Sequence, residues 1–159
     1  MKRSVCTGYL FWCLAVSIIP SCQPKQPATV DAPAPSQLLR VSQGLSTSAT
    51  VTTESIFAAI DMNKAGILSK DETSLILKIL EKVAKGQLQA TDSVRKLNAL
   101  SEADRTNLSA IMTPILNAVN EGLTQVEAMN PTARSKAQAL LLAVQSTLAI
   151  VDAALKEAK

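Results

Sequence analysis

Few side chains in this sequence could carry out acid–base or nucleophilic chemistry. The 159 residues include no histidine, which is the commonest general base in enzymes and the commonest transition-metal ligand. Ser-His-Asp and Cys-His arrangements are therefore impossible. The charged side chains of Asp71-Glu72 and of Asp104-Arg105 belong to adjacent residues, which point in different directions on a helix and are typical of solvated surface charge. We expect that the protein is not an enzyme.

Composition excludes further classes of partner. Aromatic residues make up only 3% of the chain, which disfavours a drug-sized ligand pocket and a stacking platform for nucleic acid. The lysines and arginines are scattered, and the glycines after residue 21 are isolated, so neither a basic patch nor a phosphate-binding loop is indicated. We expect no nucleic-acid partner.

The N-terminus has the layout of an export signal. Lys2 and Arg3 precede an apolar run over residues 9–19, which is shorter than the about 20 residues that a membrane-spanning helix needs. The run ends at Ile19-Pro20-Ser21-Cys22, which resembles the lipobox of bacterial lipoproteins. An ordinary secretory signal and an uncleaved anchor are the alternatives.

The lipoprotein resemblance implies a specific modification and address. In that family the signal is cut before the cysteine, whose thiol is diacylated, so residues 1–21 would be the signal peptide and Cys22 the lipidation site. Removal of the signal takes away Lys2 and Arg3, which lowers the net charge from +3 to +1. Gln23, rather than Asp, favours the outer membrane facing the periplasm, and the cell surface is the other expectation within the cell envelope.

One segment could bind a metal. Residues 61–72 resemble an EF-hand calcium loop, which places oxygen ligands at alternate positions, a glycine at the sharp turn and a glutamate at the twelfth position. The resemblance implies Ca²⁺ ligands from four side chains and one backbone carbonyl: Asp61, Asn63, the carbonyl of Ile67, Ser69 and Glu72. Ala65, which supplies no oxygen, and the two lysines of the loop depart from the pattern.

The same residues have a purely structural interpretation. The segment from Asn63 to Gly66 would end one helix, and Ser69 with Glu72 three residues later forms a capping box for the next. On this interpretation the protein has no cofactor. Both interpretations are open at this point.

The rest of the chain divides into a linker and a helical domain. Residues 22–51 contain four prolines and then a stretch rich in Ser and Thr, which predicts a flexible, disordered tether. From residue 52 to residue 159 the apolar spacing is helical, and a first short helix contains Ile56, Phe57 and Ile60.

Three further helices follow, with a short one around Val94 and Leu97. The second helix begins at Ser69 and is predicted to end at Gly86, and the third begins after Ser101, is kinked at Pro114 and reaches about Met129. Asn130-Pro131 begins the last helix. Its apolar positions form a heptad seam: Ala137, Leu141, Val144, Leu148, Val151 and Leu155.

No segment shows the alternation of a strand. The fold class is therefore all-α, with four or five helices in an antiparallel bundle whose seams form an internal core or, alternatively, a partner interface. The predicted function is a non-enzymatic, lipid-anchored envelope protein that presents a helical module to a protein partner. The alternative is a weak calcium-binding module on the same anchor.

Overall fold

Four α-helices make up nearly all of the part of the chain that can be described. The computed structural model describes residues 36–157, so the predicted signal peptide, Cys22 and residues 23–35 of the predicted linker lie outside them. The helices are α1 (Gln37–Lys64), α2 (Lys70–Val94), α3 (Glu102–Gln125) and α4 (Pro131–Lys156), with one turn of 3₁₀ helix at Val126–Ala128 between α3 and α4. No strand occurs between residues 36 and 157, and the all-α prediction is confirmed for this range.

The helices form a ring in which each packs on the next and α4 closes on α1. Short connections make consecutive helices antiparallel. The closure is made at the two ends of the described range, where the side-chain amide of Gln37 donates to the carbonyl oxygens of Ala154 and Glu157 at 2.7 and 3.1 Å. Arg40 also forms an ion pair with the Glu157 carboxylate. Between residues 36 and 157, four α-helices rather than five therefore build the bundle.

The predicted apolar stripes of α3 and α4 face the inside of the bundle, whereas Phe57 of the predicted first helix is exposed. All six residues of the α4 seam are buried, and Leu108, Met112, Ile115 and Val119 of α3 are buried with them. By length and composition α4 could also cross a membrane, but in this structure its seam is covered by the other helices. The interpretation of the α4 seam as internal core is confirmed.

The predicted starts of α2, α3 and α4 are also confirmed. Ser69 and Ser101 each form a complete capping box, with Glu72 and Asp104 as the third helical residues. Asn130 accepts a hydrogen bond from the backbone N–H of Ala133 at 2.9 Å, and Pro131 occupies the first position of α4. Side chains thus satisfy backbone N–H groups that have no partner within the helix.

The predicted start of the helical domain was wrong. Helix α1 begins at Gln37 rather than at residue 52, so residues 37–51 are helical and are not part of a flexible linker. Ser36 caps this helix by accepting a hydrogen bond from the N–H of Leu39 at 3.3 Å. The segment is ordered because Val41 and Leu45 are buried in the core, whereas its Ser and Thr content had favoured flexibility.

The predicted stop at Gly86 was also wrong, because α2 continues to Val94. The separate short helix expected around Val94 and Leu97 is not formed, since Val94 ends α2 and Leu97 lies beyond it in the connection to α3. A Cβ added at Gly86 would lie 2.4 Å from Cγ1 of Ile115, so this glycine lets α2 approach α3 closely. Gly122 serves the same contact from α3, against Ile79. Helix α3 ends at Gln125, short of Met129, and runs through Pro114, where the expected kink stays a prediction.

Candidate functional site

The predicted lipidation site lies outside the described residues. Cys22 and the signal before it precede Ser36, where the description begins, so the lipoprotein assignment stays a prediction. Within residues 36–157, two regions bear on function. They are the loop between α1 and α2, for which calcium ligands were predicted, and a groove along α1.

The structure gives the predicted calcium ligands at the start of the loop other partners. Asp61 lies in the last turn of α1, and its carboxylate pairs with the Lys64 ammonium group at 2.9 Å on the exposed surface. The side-chain amide of Asn63 donates to the carbonyl oxygen of Leu68 at 3.0 Å and closes the turn. The turn itself needs Gly66, whose φ of 72° is in the left-handed region. These contacts end α1.

Ser69 and Glu72 begin α2 instead. One Glu72 carboxylate oxygen accepts the backbone N–H of Ser69 at 2.8 Å, and the other accepts the side-chain amide of Asn130 at 3.2 Å. The bond from the Ser69 N–H, followed by those from its hydroxyl and from Asn130, lowers the pKa of Glu72 below its usual value. Glu72 therefore caps α2 and also ties it to the start of α4.

The loop contains the helix-ending and helix-capping contacts of the structural interpretation. Ile67, expected to offer its carbonyl, donates its N–H to the carbonyl oxygen of Met62 at 2.9 Å. Between residues 36 and 157, no three Cys, Asp or Glu residues are grouped closely enough to hold a metal ion. Of the side chains that were predicted to supply oxygens to a calcium ion, Asp61 is paired with Lys64, and Ser69 and Glu72 accept backbone N–H groups through their oxygens.

A groove of about 1020 Å³ runs along the outer face of α1, and the sequence analysis did not predict it. Its floor is a helical stripe of short side chains: Ser42, Ser46, Ala49, Thr50 and Thr53. Thr91, Val94 and Leu97 from the end of α2 and the following turn form one wall. The groove exists because short side chains on α1 face outward next to the longer aliphatic side chains of this wall. We call it the α1 groove.

Two features distinguish the ends of the α1 groove. Phe57 lies at the end nearest the C-terminus of α1 with 62% of its surface exposed, although phenylalanine is among the residues most often buried. Leu38 and Leu39 lie at the opposite end, and Leu39 is also exposed. The charged lining residues are Glu54 and Arg95. Aliphatic, aromatic and hydroxyl groups of this kind suit the packing of another polypeptide.

A buried polar cluster lies on the other side of α1, facing α2. The side-chain amide of Gln87 donates to the Ser48 hydroxyl at 2.6 Å and to the Thr52 hydroxyl at 3.0 Å. The Thr52 hydroxyl in turn donates to the carbonyl oxygen of Ser48 at 2.9 Å. All three side chains are buried, so the cluster fixes the register between α1 and α2 and thereby the position of the groove wall.

Comparison with known proteins identifies no relative of this chain. No family model matches the chain, and neither a curated protein nor a solved structure matches it. The groove and the capping loop are therefore interpreted from their own geometry.

Proposed function

We propose that this protein is a non-enzymatic lipoprotein of the bacterial cell envelope that holds a four-helix domain at the membrane surface and binds a protein partner through the α1 groove. The observation that carries the anchor is the sequence Ile19-Pro20-Ser21-Cys22 directly after a short apolar run. Two or more acyl chains anchor a protein stably, since each buried methylene contributes about 0.8 kcal/mol.

The position of the groove supports an interaction role close to the anchor. Helix α1 begins at Gln37, so residues 22–36 alone would join the acylated cysteine to the helix that carries the groove. Four prolines in this connection favour an extended chain, which would hold the groove away from the lipid head groups. The outer membrane facing the periplasm is the proposed address, with the cell surface as the other location.

Metabolic labelling with radioactive palmitate in a bacterial host tests the anchor. The wild-type chain should incorporate label and Cys22→Ser should incorporate none, because the acyl chains would be attached at that position. Cys13→Ser is the matched control, since it removes a thiol from the apolar run and leaves the lipobox intact. Unchanged labelling of Cys22→Ser would overturn the proposal.

Location is tested on the same strains. Membrane fractions separated by density should contain the wild-type protein in the outer-membrane fraction. Protease added to intact cells distinguishes the two faces, because only a domain at the cell surface is digested. Recovery of the mature wild-type chain in the soluble fraction would contradict a lipid anchor.

A further inference from the structure

The α1 groove opens at the point where the described part of the chain begins. Ser36, which caps α1, lines the groove together with Leu38 and Leu39. Residues 23–35 precede Ser36 in the sequence and therefore join the bundle at one end of this groove. A ligand that is already attached next to its site has an effective concentration of about millimolar, so weak contacts are enough to hold it there.

The length of this segment matches the length of the groove. Phe57, at the far end, is 21 residues from Ser36, which is about 32 Å at about 1.5 Å rise per residue. Pro24 precedes Ser36 by 12 residues, which span about 37 Å in a polyproline helix. The difference of about 5 Å leaves roughly two residues for reversing the chain direction. A segment folded back along α1 would thus bring Pro24 to the exposed ring of Phe57.

The segment has an apolar edge that suits this groove. A polyproline helix has three residues per turn, so every third residue lies on the same edge. Four apolar residues share one edge: Pro24, Pro27, Val30 and Pro33. Segments with this proline spacing dock against exposed aromatic rings such as that of Phe57, because their preformed conformation loses little entropy on binding. The exposed hydroxyls of Ser42 and Ser46 can donate to carbonyl oxygens of the segment, which have no partner within a polyproline helix.

A pair of opposite charges falls at the same height along the groove. Asp31 would lie about 9 Å from the start of α1 in a segment that reverses direction within two residues. Gln87 of the antiparallel α2 bonds to Ser48 and Thr52. Arg95 follows Gln87 by eight residues, so it lies about 12 Å nearer the N-terminus of α1, which is also about 9 Å from its start.

The two charges also fall on the same side of the groove. A polyproline helix is left-handed. If it runs antiparallel to α1 with its apolar edge on the floor, the edge that carries Asp31 turns toward α2. Arg95 lines the groove from that side, with its side chain 75% exposed and its guanidinium 3.8 Å from the Asp92 carboxylate. The guanidinium has five N–H donors, so it can bind a second carboxylate.

We infer that residues 23–35 of the same chain occupy the α1 groove until a protein partner displaces them. The segment runs antiparallel to α1, with Asp31 at Arg95. The inference rests on the proposed interaction role of the groove and adds a form of regulation to it, because the partner competes with an intramolecular ligand. Docking would place Cys22 beside Phe57 and hold the domain close to the membrane, whereas displacement would let the domain extend from it.

Photocrosslinking in membranes tests this contact in the full chain. A photoreactive phenylalanine analogue in place of Thr50, an exposed position of the groove, should crosslink within the chain to residues 23–35. Mass spectrometry of the digested product identifies the site. The same analogue in place of Ser146, exposed on α4, is the matched control and should give no such product. Equal yields of the intrachain product from the two positions would overturn the inference.

A charge swap in the chain with the analogue at position 50 gives an independent readout. Asp31→Lys or Arg95→Glu alone should lower the intrachain yield by about twofold to fivefold, the range expected for exposed ion pairs, and the double swap should restore it. Lys96→Glu is the matched control, because it reverses an exposed neighbouring cation that does not line the groove. Failure of the double swap to restore the yield would contradict the antiparallel docking.

The apolar edge is tested by two adjacent substitutions. Val30→Asn should lower the intrachain yield by about threefold to tenfold, because it replaces an aliphatic side chain that docking would partly bury. Thr29→Asn changes a residue on an edge turned away from the floor and should have little effect. Equal losses from the two variants would show that the segment does not dock through this edge.

The products of the crosslink at position 50 distinguish failure of this inference from failure of the proposed interaction role. An intrachain product supports the inference. A product with a different envelope protein alone overturns it while supporting the role of the groove in binding, and a dimer linked through residues 23–35 overturns docking within one chain. No product of any kind overturns both proposals. Palmitate labelling at Cys22 is unaffected by any of these results.

Discussion

Helices α1 and α4 bury residues at the same spacing but of different chemistry. The α1 positions are Gln37, Val41, Leu45, Ser48, Thr52, Ser55 and Ala59. The α4 positions are Ala133, Ala137, Leu141, Val144, Leu148, Val151 and Leu155, with Ala154 buried in addition next to Leu155. Both series step by four, four, three, four, three and four residues. The period places a stripe on one face of a helix, and the residue types decide how that stripe is held.

The buried stripes of α4 and α1 are held in place by two different kinds of interaction. The α4 seam contributes mainly through burial of aliphatic side chains, which is strong but not directional. The α1 stripe includes the Ser48–Thr52–Gln87 cluster, whose hydrogen bonds are satisfied only at one register. Helix α4 thus contributes mainly aliphatic side chains to the core. Helix α1 contributes the hydrogen bonds that fix its register with α2, and it carries the α1 groove on its outer face.

The largest expected effect is in the α4 seam. Leu148→Ala should lower the free energy of unfolding by about 2–5 kcal/mol, because Leu148 is fully buried and its loss leaves a cavity. Leu142→Ala, which alters an exposed leucine on the same helix, should change it by about 0.5 kcal/mol or less. Urea unfolding followed by circular dichroism measures both. Equal losses would mean that the seam is not the core.

In the polar cluster, a single substitution should destabilise the fold, whereas combined substitutions should restore most of the lost stability. Gln87→Leu alone should destabilise by about 1–3 kcal/mol, because the buried hydroxyls of Ser48 and Thr52 lose their donor. Adding Ser48→Ala and Thr52→Val should recover most of that loss, since no unsatisfied polar group remains. A triple variant less stable than Gln87→Leu in urea would show that the cluster contributes more than register.

The contact between the two helices gives an intermediate effect. A Cβ added at Gly44 would lie 2.9 Å from Cγ2 of Val151, so Gly44→Ala should destabilise by about 1 kcal/mol, after the helix propensity of alanine offsets part of the overpacking. The combination with Val151→Ala should be less destabilising than the sum of the single changes. Strictly additive losses in thermal unfolding would argue against this close contact.

A smaller effect concerns pH and the capping of α2. The pKa of Glu72 is lowered in the folded chain, mainly by the Ser69 N–H, so its contribution to stability is full above the ordinary value of 4.5 and is lost as the pH falls through the lower folded value. Glu72→Gln should therefore reduce the loss of stability on acidification below about pH 4.5. Acid-titration curves that run parallel to those of the wild type would contradict this role.

The smallest expected effect is that of calcium. Because the Glu72 carboxylate caps α2 and Asp61 pairs with Lys64, we expect millimolar Ca²⁺ to leave the melting temperature unchanged and to release no binding heat. The variant Asp61→Asn with Glu72→Gln is the control for nonspecific effects of the ion. A calcium-dependent rise in the melting temperature that this variant abolishes would restore the alternative of a calcium-binding module.

The comparison of α1 with α4 also explains which parts of the fold were predictable. The sequence predicted the α4 seam and the capping residues Ser69, Ser101 and Asn130. It could do so because apolar periodicity and helix capping depend only on residues that are close together in the chain. The first half of α1 was missed because Ser48 and Thr52 are buried through hydrogen bonds to Gln87, a residue distant in the chain. A search for helical spacing that counted Ser, Thr and Gln with the apolar residues would have found it.

The candidate site was less predictable than the fold. Gly86 was interpreted as a helix end, whereas it is needed for contact with Ile115 on another helix. The α1 groove depends on Val94 and Leu97 reaching the side of α1, which follows only from the full length and register of α2. In the loop, Ser69 and Glu72 were correctly placed by the capping interpretation because both bonds are local.

The closure of α1 on α4 by Gln37 has a mechanical consequence. Since its amide bonds the last turn of α4, Ser36 and Glu157 emerge from the same end of the bundle. The Glu72–Asn130 bond fastens the opposite end. Tension applied between Ser36 and Glu157 would peel α1 from α4 one turn at a time, in the unzipping direction, and Gln37 and the Arg40–Glu157 pair would carry the load first.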